Sequence, residues 1–139
     1  MVNTNKLVIV GIVIVIAVIL AGFLLINRVP EDSWIKDENG LLVKHGNPSE
    51  TPQEYLDQQE AIRRANEIYF ANNVKKVNFL SQCLGTVHLK GGIDYVVDIV
   101  HVPRIAEDDL VENQCSNFLS GSVKHFVELD KNGEFVRIG

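Results

Sequence analysis

No acidic side chain occurs before Glu31 in this 139-residue chain, and Lys6 and Arg28 are its only basic residues up to that point. Between those two, Leu7 to Ile26 reads LVIVGIVIVIAVILAGFLLI, with no charged or hydrogen-bonding side chain. Cysteine is scarce, with Cys83 and Cys115 the only two. The sequence has no Gly-x-Ser-x-Gly, no Walker loop, no His-Glu-x-x-His and no Gly-x-Gly-x-x-Gly. Those absences argue against serine hydrolases, P-loop enzymes, zinc proteases and dinucleotide-dependent enzymes. A Cys-x-x-Cys pair is missing too, and neither cysteine has a neighbour that would lower its pKa. No internal repeat or low-complexity tract is present. The chain is therefore expected to be no enzyme, with no catalytic residues, no cofactor and no resident metal.

The apolar run is the strongest positive signal. At ~1.5 Å rise per residue, twenty residues reach ~30 Å, the thickness of a bilayer core. A lone segment can satisfy its backbone in lipid only as a helix, so a transmembrane helix is expected despite the many Val and Ile residues. A buried core helix is disfavoured, because the remaining chain is too short to wrap a helix that is apolar on every face. A cleaved signal peptide is the main rival, but its apolar core usually spans only ~7–15 residues. Leu20-Ala21-Gly22 resembles the start of a lipoprotein box, yet Phe23 stands where the lipidated cysteine must be. A pilin-type leader would need a basic-Gly cleavage site, which is also missing. The expected divisions are an N-terminal tail and anchor over 1–29, a linker with a short extended piece over 30–50, and an extracytoplasmic domain over 51–139. Lys6 and Arg28 bracket the run and bias its orientation only slightly. A long domain after a short tail favours the domain outside, in the cell envelope. Ala17 and Ala21 form a small-xxx-small pair that lets helices approach closely, so self-association stays open.

Beyond Pro30 the chain carries 11 basic and 18 acidic side chains, a net charge of −7. Such a domain is repelled by nucleic acid and anionic lipid, so no nucleic-acid partner is expected. An even cysteine count in a domain held outside a membrane points to one disulfide, Cys83–Cys115. The alternative is two free buried thiols.

Local patterns suggest an α+β domain. Asp37-Glu38-Asn39-Gly40 is turn chemistry between Trp34-Ile35 and Leu41-Leu42-Val43. Thr51-Pro52-Gln53-Glu54 reads as a capping box with proline at the first helical position. From there to about Asn72, Tyr55, Ile62, Ala65 and Tyr69 recur on one face, flanked by Leu56 and Ile68. Glu60, Arg63, Arg64 and Glu67 lie largely opposite. Leu84–Lys90 and Ile93–Val102 read as strands joined by Gly91-Gly92. Residues 104–121 read as an acidic loop. Val123–Leu129 and Glu134–Ile138 read as strands joined by Asp130-Lys131-Asn132-Gly133. The expectation is one amphipathic helix packed on a four-stranded antiparallel sheet.

A helix followed by an antiparallel meander over 51–139 resembles the cystatin/PepSY architecture. The stretch Trp34 to Ser49, ending Val43-Lys44-His45-Gly46-Asn47-Pro48-Ser49, resembles a segment found after the anchor in uncharacterised prokaryotic membrane-anchored envelope proteins. The first resemblance implies binding or inhibition at a cell surface, and the second implies envelope placement. The expected function is a membrane-anchored binding or interaction module, with an envelope protein as partner. The alternative is an accessory or assembly subunit of a membrane complex.

Three further groups of residues invite chemistry. His88, His101 and His125 each fall on an expected strand, and two imidazoles on neighbouring strands of matching parity would bind a metal. Three separate half-exposed histidines is the plainer reading, with His101 sharing the parity of the buried face. Glu107, Asp108, Asp109 and Glu112 offer oxygens to calcium, but their spacing is not that of an EF-hand loop, so a solvated acidic loop is favoured. Asp94 and Asp98 share a strand face and suit an acid/base pair. Keeping that face soluble is the simpler role.

Overall fold

The computed structural model of the chain describes residues 4–26, 32–73 and 83–139. Lys6 lies in the first helix, whose side chains are described from Ile12 to Phe23, while Arg28 and the boundary at 29–30 fall outside the described residues. The described residues form an α+β structure, with three α-helices, one two-stranded sheet and one four-stranded sheet.

Helix α1 covers Thr4–Ile26, the apolar run. Every side chain from Ile12 to Leu20 is exposed, Val18 by 66% and Ile12 by 55%, so no face of this stretch is packed on the domain. Among the described residues no helix is long and apolar enough to cross a membrane. The described side chains of α1 cover only ~18 Å of helix axis, short of the ~30 Å a bilayer core requires.

Strands β1 (Ser33–Lys36) and β2 (Leu42–His45) form the expected hairpin. Asp37 Oδ1 accepts the Asn39 and Leu41 N–H groups, which closes the turn. Gly40 has φ +79°, and a Cβ there would strike the Ile138 carbonyl, so the turn can lie directly on the main sheet only as glycine. The segment read as linker packs on the next helix, α2 (Gln53–Asn73). Trp34 meets the Tyr55 ring at 4.6 Å and donates Nε1–H to Glu50 O at 2.7 Å. Gln58 is buried because both ends of its amide are used: Oε1 accepts Leu42 N–H at 2.8 Å and Nε2 donates to Gly40 O at 3.0 Å.

Strands β3 (Cys83–His88), β4 (Asp94–Ile99), β5 (His125–Leu129) and β6 (Phe135–Ile138) form one sheet in that order. Both expected hairpins are present, β3–β4 and β5–β6, each antiparallel. The fully antiparallel meander is not: β4 and β5 pair parallel. Parallel neighbours need a crossover of a dozen or more residues. Here the chain from Val100 to Lys124 supplies it, through two 3₁₀ turns (Ala106–Asp109 and Val111–Asn113) and the short helix α3 (Ser116–Leu119). The acidic loop is thus a structured crossover that returns the chain to the end of the sheet where β4 began.

Helix α2 covers one sheet face. Its buried stripe is Ala61, Ala65 and Tyr69, packed on Val87, Tyr95, Val97, Ile99, Val127, Leu129 and Ile138. Ala61 joins the expected Ala65 and Tyr69 in this stripe, because a small residue lets the helix axis approach the sheet, while the expected Tyr55 and Ile62 are only half-buried, Tyr55 against Trp34. Tyr69 reaches across to donate its hydroxyl to Lys131 O at 2.9 Å. The turn it meets needs Gly133, at φ +82°, since a Cβ there would clash with the Tyr69 ring.

Candidate functional site

The opposite sheet face carries polar and charged side chains, and strand register sets them in a row. Cys83 on β3 pairs with Asp98 on β4, Asp98 pairs with Glu128 on β5, and Glu128 pairs with Arg137 on β6. Partners in register point to the same face, so these four side chains stand side by side across the sheet. The crossover lies over them. It brings Cys115 to Cys83 as a disulfide with Cα atoms 5.0 Å apart, and packs Val123 and Phe118 against Val96 and Phe126. The expected disulfide is therefore present, and the free-thiol alternative falls.

Two carboxylates are buried in this layer, Asp98 at 7% exposure and Glu128 at 5%. Glu128 is clamped from two elements. Arg104, from the crossover, donates to Oε1 at 3.0 Å. Arg137 donates Nε–H to Oε2 and Nη2–H to Oε1, and its guanidinium lies 5.0 Å over the Phe126 ring. Asp98 accepts its hydrogen bond at 3.0 Å from the adjacent Ile99 N–H. Burial first, and the Glu128 charge second, push the Asp98 carboxyl up to about 7. A cavity of about 50 Å³ opens here, lined among others by Asp98, Glu128, Arg104, Arg137, Phe118 and the Cys115 side of the disulfide. It has room for water molecules but not for an organic substrate. The chemistry such a carboxyl offers is proton exchange near neutral pH.

Asp98 therefore does not keep its face soluble, because that face is covered. Asp94 is not its partner either. Four residues apart on one strand separates two side chains by ~13 Å, and Asp94 pairs instead with His88 at 3.0 Å. The carboxylate beside Asp98 is Glu128, from a strand distant in sequence.

The crossover itself is organised around Asp108, which is 1% exposed and so departs from the expected solvated loop. Its carboxylate accepts the Ile105 N–H at 2.9 Å, the His101 N–H at 3.2 Å and a ring contact from His101 Nδ1 at 2.8 Å. Burial opposes ionisation, but these three partners prevail and hold the Asp108 carboxyl below the ordinary aspartate range. Arg104 binds Asp109 at 2.8 Å, so one arginine ties the crossover to Glu128. Glu107 and Glu112 are exposed.

The three histidines are not brought together. His88 shares the Asp94 face, while His125 lies in register with Tyr95 on the helix face, 5.1 Å from its ring. His101 lies past the end of β4, exposed rather than on the buried face, and is held by Asp108. Among the described residues no cluster of three or more His, Cys, Asp or Glu side chains is placed to hold a metal ion. A broad groove of about 580 Å³ runs between α2 and β3, lined by Arg63, Arg64, Glu67, Ile68, Thr86 and His88 among others. Arg64 closes part of it by donating to His88 O at 2.9 Å.

No family model, curated protein or solved structure matches the chain.

Proposed function

We propose that this chain is a single-pass membrane-anchored binding module, with Leu7–Ile26 in the bilayer and the α+β domain held outside the cytoplasm, where it binds a protein of the cell envelope without catalysing a reaction. The observation that carries the reading is the contrast within one chain. The apolar side chains from Ile12 to Leu20 are exposed in succession, while the domain has its own filled core. Exposed apolar surface on that scale needs lipid or protein around it. The uncharged run in the sequence extends beyond this stretch to a bilayer length. The disulfide supports an oxidising compartment.

The test is extraction and topology of the full chain in membranes. Retention after alkaline carbonate, with the domain digested by protease added from the extracytoplasmic side, is the expected result. Release by carbonate, or protection of the domain, would refute the anchor or its direction. The second reading, an accessory subunit of a membrane complex, draws on Ala17 and Ala21, which α1 places one turn apart. Replacing the apolar run by an unrelated transmembrane helix separates the two: a binding module keeps its partner, and a subunit loses it.

A further inference from the structure

The crossover inverts the usual partition of side chains. Its polar residues Asp108 and Asn113 are 1% and 6% exposed, whereas Val102 and Val111 are 67% and 68% exposed. Ile105 and Leu110 stand out by 42% and 45% in the same segment. The inversion follows from how the segment is built. Asp108 turns inward to collect the His101 and Ile105 N–H groups, Asn113 Nδ2 donates to Glu107 O at 2.8 Å, and Gln114 Nε2 donates to Asp108 O at 3.0 Å. With the polar side chains spent on the segment's own backbone, the apolar ones are left facing solvent. The segment is also fixed to the sheet through Arg104 and the Cys83–Cys115 disulfide. A fixed apolar surface loses little conformational freedom when a partner covers it.

We propose that residues 102–112 form a docking surface for a protein that presents an apolar pocket rimmed by lysine or arginine. The inference rests on the binding-module reading and names its surface. The basic rim is set by charge. Glu107 and Glu112 are exposed among the apolar side chains, and Arg104, the only Lys or Arg between 102 and 112, is already engaged by Asp109 and Glu128. A second copy docked through this surface would add two more carboxylates to an interface that holds no free cation, and an anionic lipid surface would repel them.

The test places the photo-crosslinker p-benzoylphenylalanine at Ile105, and separately at Lys90 in the β3–β4 turn and at Glu67 on α2, in the full chain in its native membranes. Crosslinks from position 105 are expected to map onto apolar residues flanked by Lys or Arg on another protein. Leu110→Ser with Val111→Ser is expected to lower the yield about ten-fold, and Glu112→Lys to lower it as well, at unchanged melting temperature. Crosslinks to a second copy, to lipid alone, or to a pocket with an acidic rim overturn the proposal, as does a yield indifferent to these substitutions. Crosslinks from positions 67 or 90 but none from 105 overturn this surface and leave the binding module standing. No protein crosslink from any position overturns both.

Discussion

The two faces of the β3–β6 sheet are held down by different forces. Under α2 the contact is almost wholly apolar, with Val97, Val127 and Leu129 fully buried and Ala61 and Ala65 seated on them. Under the crossover the apolar share is small, namely Val96, Val123 and the rings of Phe118 and Phe126. A covalent bond and a two-arginine clamp on Glu128 supply the rest. The difference follows from the covering element. A 21-residue helix presents a continuous apolar stripe, whereas a crossover of short turns cannot, and must be fastened at points. Burying carboxylates under such a cover is costly unless they are paired. Glu128 has two guanidinium partners, whereas Asp98 has none and ionises reluctantly.

The largest test of this contrast is removal of the staple. Cys83→Ser with Cys115→Ser should destabilise the domain by about 4 kcal/mol, from the loop-closure entropy restored to the unfolded chain. Urea unfolding followed by the single tryptophan, Trp34, reads this. A loss under about 1 kcal/mol would mean that packing alone holds the crossover. Next in size, Leu129→Ala should cost about 3 kcal/mol by opening a cavity in the filled face, against about 1 kcal/mol for Phe118→Ala beneath the crossover. Equal losses would erase the distinction between the faces.

The third test concerns pH. Burial and the neighbouring Glu128 charge push the Asp98 carboxyl in the folded chain from the ordinary aspartate value of 3.8 up to about 7. The folded state therefore binds a proton more tightly than the unfolded state. Stability from this group is fully present below about pH 4 and falls as pH rises to about 7, then levels. Asp98→Asn should remove the fall and raise stability at pH 8 by about 2 kcal/mol, about half of the full linkage because the buried amide still needs a partner. Asp108 has the opposite sign. Its folded carboxyl lies below the ordinary value, so its contribution is present above the unfolded pKa and lost as pH falls through the folded one. A parallel pH profile for Asp98→Asn and the parent chain would show that Asp98 carries no linkage.

Much of the fold was legible from local chemistry. The helix boundaries, both Gly-containing hairpin turns and the alternation Tyr95-Val97-Ile99 each follow from a few neighbouring residues, and the structure has them close to where they are expected. The parallel β4–β5 pair was not, because nothing in Val123–Leu129 states which neighbour it will choose or in which sense. One long-range clue was present. A bond between Cys83 and Cys115 requires the crossover to pass over the face that Cys83 shares with Asp98, and so requires that face to be covered. Without that step, Asp98, Glu128 and Arg137 read as ordinary outward-facing strand polars. Arg104, from the loop, showed no signal at all.

The smallest test separates the clamp on Glu128 into its two arms. Arg137 belongs to the neighbouring strand and would face Glu128 whatever covered the sheet, whereas Arg104 arrives with the crossover and also holds Asp109. Replacing either by Met leaves Glu128 with one guanidinium, so each loss should be only about 1 kcal/mol. The two should differ in where the loss appears. Arg137→Met should leave hydrogen exchange in residues 101–114 unchanged, since that arm does not reach the crossover. Arg104→Met should speed exchange there, because the Asp109–Arg104–Glu128 link is the crossover's ionic fastening to β5. Equal exchange in both variants would assign that fastening to the Cys83–Cys115 disulfide alone.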